Sequence, residues 1–111
     1  MRDLQPIIAE IRDQLMNHIH PERIILFGSY AKETEKLYSD IDILIVTKSP
    51  VPLSQQTLSR DLFYDYPVNV DVLFCTDNEL LSELNRRYSF LNAIMKNCVT
   101  LYELNDTHGV V

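Results

Sequence analysis

The sequence predicts an α/β protein in which a small mixed β-sheet of three to four strands packs against helices. Some segments carry apolar residues at helical spacing, and short β-branched apolar runs lie between them. The two kinds of segment alternate in the order α-β-α-β-α-β-α-α, which is typical of helices packed on a sheet. Because 111 residues is the size of one domain, we expect residues 1–111 to form a single domain with its own core.

The first five elements follow from hydrophobic spacing and from chain-breaking residues. A helix is predicted over residues 3–18, and a buried strand over 23–27 lies between a proline and a glycine. A short helix over 29–37, rich in Ala, Lys and Glu, leads to a β-branched strand over 41–46. A prolyl linker ends that strand, and a polar helix is predicted over 53–64. The apolar face of the first helix consists of Leu4, Ile7, Ile8, Ile11, Leu15 and Ile19.

The remaining elements begin with a third strand over residues 68–74. Its valines alternate with more polar positions, so one face is expected to be buried. Thr76 or Asp77 can cap the helix that follows, and a further helix is predicted over 88–96. Residues 99–103 form either a last short strand or an apolar tail.

The charge balance argues against a long nucleic acid as partner. Ten Lys and Arg residues face 16 Asp and Glu residues, which gives a net charge of −6 and a pI near 4.9. Phosphate backbones are held mainly by clustered basic side chains, and the densest basic pair here is Arg86–Arg87. We interpret that pair as a solvated helix face.

The two cysteines and the apolar runs indicate the compartment. Cys75 and Cys98 lie in apolar stretches without a CxxC motif, which predicts buried thiols in a reducing environment. The first residues do not have the pattern of a signal peptide. The longest apolar runs, such as 43–46, are far too short to span a membrane. We therefore expect a cytoplasmic protein without a membrane partner.

Three aspartates have the spacing of a metal site. Alternation along a strand puts Asp40 and Asp42 on one face with Cα atoms roughly 6.5–7 Å apart. Asp71 lies in the middle of the third strand and could complete a cluster of three carboxylates, which repel one another unless a cation neutralises them. Such oxygen ligands suit Mg²⁺, and two ions can stabilise an in-line displacement at phosphorus. His18 and His20, at a helix end, are better explained by interaction with the helix dipole than as ligands.

Gly28 and Ser29 have the character of a phosphate-binding turn. The chain contains two glycines, and the other, Gly109, lies near the end of the sequence. A residue without Cβ lets the backbone approach a phosphate closely, at the point where a strand turns into a helix. Ser29 adds a hydroxyl donor, and Lys32 could neutralise phosphate charge. The sequence thus predicts a phosphate cradle on one side and a metal cluster on the other.

These motifs together resemble the DNA polymerase β-type nucleotidyltransferase superfamily, and most closely its minimal nucleotidyltransferase (MNT) branch. The resemblance covers nearly the whole chain and rests on residues 27–32, 39–46 and 70–73. It implies the polymerase β-like fold. It also implies that Asp40 and Asp42 bind two Mg²⁺ ions and that Asp71 binds metal and assists deprotonation of the acceptor. Gly28 and Ser29 match the residues that hold the nucleoside triphosphate.

The resemblance further implies a function. Many minimal members are antitoxins of HEPN/MNT toxin–antitoxin pairs, and those characterised as enzymes transfer AMP from ATP to a tyrosine of the HEPN ribonuclease toxin. We therefore expect ATP as substrate, a HEPN-domain toxin as acceptor, and an oligomer formed with that partner. Glu33 departs from the family pattern, which often has glycine at this position.

Two other functions remain open from the sequence. A catalytically weak module could neutralise its partner by forming a complex, and the Glu33 carboxylate near the triphosphate favours that alternative. The apolar C-terminal stretch, which includes Phe90, could supply the interface, although core packing explains most of it. Nucleotidyl transfer to a small molecule such as an aminoglycoside is the third possibility.

Overall fold

The computed structural model of the chain describes residues 5–32, 40–86 and 89–104. The elements are α1 Gln5–His18, β1 Arg23–Phe27, α2 Ser29–Lys32, β2 Ile41–Thr47, α3 Leu53–Asp61, β3 Val70–Thr76, α4 Asp77–Leu84, α5 Phe90–Lys96 and β4 Val99–Glu103. The predicted order of helices and strands is confirmed. The segment over 99–103, for which two structures were open, is a strand.

The four strands in the described part of the chain form one mixed sheet in the order β3-β2-β1-β4. β2 pairs in parallel with β3, whereas β1 is antiparallel to both β2 and β4. Parallel neighbours require a crossover connection, and the segment that contains α3 provides it. β2 is therefore a central strand, and β3 lies at one edge of the sheet.

Both faces of the sheet are covered, so the core has two layers. Successive residues of a strand point to opposite faces of the sheet, and the buried residues separate into two clusters accordingly. One cluster joins α1 to the sheet through Ile8, Ile11, Leu15, Ile19, Ile24, Leu26, Ile41, Ile43, Ile45, Phe63, Val68 and Val72. The other lies under α4 and α5 and contains Ile25, Leu44, Val46, Cys75, Leu80 and Ile94. Each such large aliphatic side chain stabilises the fold by about 1.5–3 kcal/mol.

Several predicted boundaries are wrong by a few residues, for identifiable reasons. α3 ends at Asp61 rather than at residue 64, because the next amides bond three residues back: Phe63 N donates to Arg60 O at 3.2 Å and Tyr64 N to Asp61 O at 3.3 Å. These tighter turns bring Phe63 into the core. β3 begins at Val70 rather than at residue 68.

Side-chain caps set the start of the last two helices. Thr76 is the N-cap of α4 in a capping box, in which its hydroxyl accepts from Glu79 N while the Glu79 carboxylate accepts from Thr76 N. Ser89 caps α5 and accepts from Asn92 N, so this helix begins at Phe90 instead of residue 88. The predicted start of α1 at residue 3 and the extension of α2 to residue 37 lie outside the described residues.

Smaller predictions can be compared in the same way. His18 Nδ1 lies 2.9 Å from the carbonyl oxygen of Gln14 in the last turn of α1, as expected for a histidine at a helix C-terminus. Cys75 is buried and Cys98 half-buried, and both are free thiols. Within the described ranges, none of the helices has the length and apolarity required to cross a membrane.

Candidate active site

Asp42 and Asp71 lie side by side on neighbouring parallel strands. They are direct partners in the register of β2 and β3, which places their Cα atoms about 4.8 Å apart. Both are on the sheet face that α4 and α5 cover, because each lies two residues before a leucine of the second core cluster, Leu44 or Leu73. Within β2, Asp42 is the one residue that is not buried. The structure thus brings together the two carboxylates that the sequence placed on different strands.

The third aspartate acts on the same site. Asp40 lies directly before β2 and is exposed. The pKa of Asp42 is raised from its ordinary value of 3.8 to about 6, first by burial and then by the charges of Asp71 and Asp40 and by a hydrogen bond with Asp71. The charge of Asp40 therefore contributes to the raised pKa of Asp42, and the carboxyl groups of Asp42 and Asp71 are close enough to share a proton. Asn69 Nδ2 also donates to Asp71 Oδ1, at 3.4 Å.

This arrangement fits a hard divalent cation without forming a complete site in advance. Among residues 5–32, 40–86 and 89–104, no group of three His, Cys, Asp or Glu side chains has the spacing of a ready-made metal centre. However, a cation could replace the proton that Asp42 and Asp71 share and would relieve their repulsion. Mg²⁺ usually takes one or two carboxylates and completes its shell with water and substrate phosphates. The carboxylates of Asp42 and Asp71, with the charge of Asp40 nearby, suit that cation.

Gly28 occupies the turn that joins β1 to the site. Phe27, the last residue of β1, is the register partner of Asp42, so the turn lies beside this carboxylate. Gly28 has φ +74°, a conformation that L side chains rarely adopt. A Cβ built on it would overlap Asp42 Oδ2 and lie 3.2 Å from Asp42 Cγ. The sequence pattern assigns this glycine to the close approach of a phosphate. The structure shows a second reason for it, because the Asp42 carboxylate occupies the space that a Cβ would fill.

The other two residues of the predicted phosphate cradle belong to α2. Ser29 is the first residue of this four-residue helix and directly follows the Gly28 turn. It is half-buried and lies at the same end of the sheet as Asp42. Lys32 is the last residue of α2, and its side chain lies outside the described part of the structure, as does the whole of Glu33. The roles of these residues toward a triphosphate stay predictions.

A cavity of about 500 Å³ opens over the two paired carboxylates. Its lining consists of Phe27, Asp42, Arg60, Val70, Asp71, Val72, Leu73 and Phe90. Of these residues, only Asp42 and Asp71 were predicted as site residues, and Arg60 and Phe90 also lie outside the motif segments 27–32, 39–46 and 70–73. Phe90 is 64% exposed and meets Phe27 edge to face, with ring centroids 6.4 Å apart. Arg60 reaches the cavity from α3, on the far side of β3.

The sequence contained no local signal for either residue. Phe90 lies in an apolar stretch, and most of that stretch does pack into the core, as Ile94 and Leu91 show. Only the position of α5 over the end of β1 exposes Phe90 to the cavity. Arg60 is one basic residue on a polar helix, and its place depends on how the crossover runs beside β3.

Comparison with known proteins agrees with this geometry. The chain matches the nucleotidyltransferase domain family over residues 7–98, and it belongs to that family. The resemblance and the mixed α+β fold predicted from the sequence are thereby confirmed. None of the curated proteins matches the chain.

Solved structures share the fold at low sequence identity. One is a toxin–antitoxin with AMP-PNP, with a TM-score of 0.64 and 21% identity over 91% of this chain and 77% of the other. Another is the complex of tri-AMPylated Shewanella oneidensis HEPN toxin with MNT antitoxin, with a TM-score of 0.63 and 18% identity over 97% and 79%. A third, from Sulfolobus solfataricus and assigned as a nucleotidyltransferase, has a TM-score of 0.60 and 22% identity over 88% and 78%.

Proposed function

We propose that the protein is the antitoxin of a HEPN/MNT pair and transfers AMP from ATP to a tyrosine of its HEPN-domain toxin, with Mg²⁺ as cofactor. The observation that carries this proposal is the direct pairing of Asp42 with Asp71 beside the Gly28 turn. Carboxylates able to hold a cation and a turn able to receive phosphates are the two halves that nucleotidyl transfer needs.

The residues divide the reaction between them. The Gly28 turn and Ser29 bind the β- and γ-phosphates, which leave as diphosphate, and Lys32 adds positive charge there. Asp40, Asp42 and Asp71 would hold the cation, which supplies charge stabilisation at the reacting phosphate when it is bound. Asp71, on the outer strand, accepts the proton as the tyrosine oxygen forms its bond to the α-phosphorus. The bond from that phosphorus to the bridging oxygen breaks, and the electron pair leaves with the diphosphate.

The acceptor assignment is supported by the fold neighbours and by charge. A related antitoxin is described in complex with a tri-AMPylated HEPN toxin, and another complex is described with AMP-PNP. The net charge of −6 disfavours a polynucleotide acceptor, which would require a basic surface. A protein hydroxyl requires no such surface.

Intact-mass spectrometry of the co-purified complex tests the proposal. The chain and its HEPN-domain partner are incubated with and without Mg-ATP, and we expect the partner to gain the mass of one or more AMP units. Asp42→Asn should abolish the gain. Asp13→Asn is the matched control, because Asp13 is an exposed carboxylate on α1, which packs on the opposite face of the sheet.

Other results would favour the remaining functions. One such result is a stable complex without any mass gain, together with a double variant of Asp40 and Asp42 that neutralises the partner as well as the wild type does. This result would overturn transfer and indicate inhibition by complex formation. A mass gain on an added aminoglycoside but not on the protein partner would indicate a small-molecule acceptor.

A further inference from the structure

The strand order separates a donor side from an acceptor side. Gly28 ends β1, Asp42 lies on the central strand β2, and Asp71 lies on β3, which is the edge strand. In the proposed function the diphosphate leaves over the β1 side of the site. Because displacement at phosphorus is in line, the acceptor oxygen must approach from the opposite side, over β3.

One cation lies on this acceptor side. Arg60 lines the same cavity as Asp42 and Asp71, and among the residues described as lining that cavity it is the only basic one. Arg60 Nε donates to the carbonyl oxygen of Val72 on β3 at 3.2 Å. The guanidinium carbon lies 5.5 Å from the centroid of the Phe74 ring. These two contacts hold the guanidinium at the free edge of β3. Phe74 packs with the first core cluster, on the face opposite to the two aspartates, so Arg60 borders their cavity around the edge of the strand.

The guanidinium has binding capacity beyond these contacts. Arginine carries five N–H donors in one plane, and the bond from Nε to Val72 uses one of them. In the described part of the chain, the arginines of ion pairs within 4.0 Å are Arg12 and Arg86, so Arg60 has no carboxylate there that neutralises it. A planar, permanently charged fork is the side chain that best matches a phosphate.

An unmodified tyrosine offers no anion to such a group, whereas an acceptor that already carries AMP does. We propose that Arg60 binds the phosphate of an AMP already attached to the acceptor and thereby favours the second and later transfers. This inference rests on the proposed function and names the acceptor that the same site prefers after its first turnover.

The second step is the same displacement with another nucleophile. A ribose hydroxyl oxygen of the attached AMP forms a bond to the α-phosphorus of a second ATP, and its proton passes to Asp71. The bond to the bridging oxygen breaks, and diphosphate leaves with the electron pair. Arg60 contacts the phosphate that joins the first AMP to the acceptor, which brings the ribose toward Asp71.

A time course of intact masses on the complex of this chain with its HEPN-domain partner tests the inference, since it resolves the species with one, two and three AMP units. In Arg60→Gln we expect the second addition to slow about tenfold more than the first. Arg60→Lys keeps the charge and should recover most of the second rate. Arg12→Gln, on α1, is the matched control and should change neither step.

Each other outcome overturns the inference in a recognisable way. If Arg60→Gln slows both additions equally, or neither, the residue has no preference for a modified acceptor. If Arg60→Lys slows the second addition as much as Arg60→Gln does, the positive charge does not bind the attached phosphate, and Arg60 acts only through its contacts with Val72 and Phe74. A wild-type complex that adds one AMP and stops contradicts this inference but leaves the proposed function intact, whereas one that adds none contradicts the proposed function.

Discussion

The carboxylate of Asp42 occupies the space that the missing side chain of Gly28 leaves open. A Cβ on Gly28 would overlap Asp42 Oδ2, and the positive φ of this glycine independently disfavours any other residue. The Gly28 turn and strand β2 are therefore coupled sterically, not only through the substrate proposed for them. Replacing the glycine should disturb both parts of the site at once.

Gly28→Ala is expected to destabilise the protein by about 1–3 kcal/mol, because the new Cβ combines backbone strain with a clash. Chemical denaturation of the variant measures this loss. The transfer rate should fall by about 100-fold or more, since the clash moves a carboxylate of the proposed reacting centre.

A double-mutant cycle with Asp42→Ala separates the two causes. In the Asp42→Ala background the clash is gone and only the strain of the positive φ remains, so Gly28→Ala should cost less free energy of unfolding than in the wild type. Equal costs in both backgrounds would show that Asp42 and Gly28 do not interfere.

Sequence reasoning predicted the parts of the site that depend on local pattern. Alternation along a strand placed Asp42 and Asp71 on defined faces, and a glycine at the end of an apolar run marked the turn. The pairing of the two aspartates could not be predicted, because a shift of the parallel register by one residue would have turned Asp71 to the other face. Arg60 was missed for the same kind of reason, since its contact with Val72 depends on the path of the crossover helix along the edge strand.

Thr76→Ala should lower the free energy of unfolding by about 1 kcal/mol, because it removes one half of the capping box that starts α4. Thr57→Ala is the control: Thr57 is an exposed threonine inside α3 whose hydroxyl bonds back to Leu53 O at 3.1 Å, so its loss should change stability little. Thermal or urea denaturation measures both variants. Equal effects would contradict the role of Thr76 as a cap.

Cys75 should resist alkylation in the folded protein, whereas Cys98 should react first. Burial, followed by the charge of Glu79, raises the pKa of the Cys75 thiol to about 11, so little reactive thiolate is present at pH 8. Cys98 is only half-buried. Mass spectrometry after mild iodoacetamide treatment should find one modified thiol, on Cys98, and two after unfolding. Modification of Cys75 at a comparable rate would contradict its burial under α4.

Asp42→Asn should stabilise the metal-free protein above about pH 6. Since the pKa of Asp42 is raised on folding, the folded protein binds this proton more tightly than the unfolded chain. The stability that the proton contributes is complete below about pH 4 and is lost as the pH rises through 4 to 6. Because the carboxyl is partly exposed, we expect the loss to be about 1 kcal/mol after solvent screening.

Melting temperatures of wild type and Asp42→Asn between pH 4 and pH 8 in EDTA measure this difference, with Asp13→Asn as the control for an exposed carboxylate. The two curves should meet near pH 4, separate as the pH rises through 4 to 6 and stay apart above pH 6, with the asparagine variant melting higher. Millimolar Mg²⁺ should then raise the melting temperature of the wild type at pH 8 and leave the variant nearly unchanged, because only the wild type keeps the pair of carboxylates proposed to bind the ion. Parallel curves in EDTA would show that the Asp42 carboxylate is not destabilised by its neighbours, and an equal response to Mg²⁺ would place the ion elsewhere.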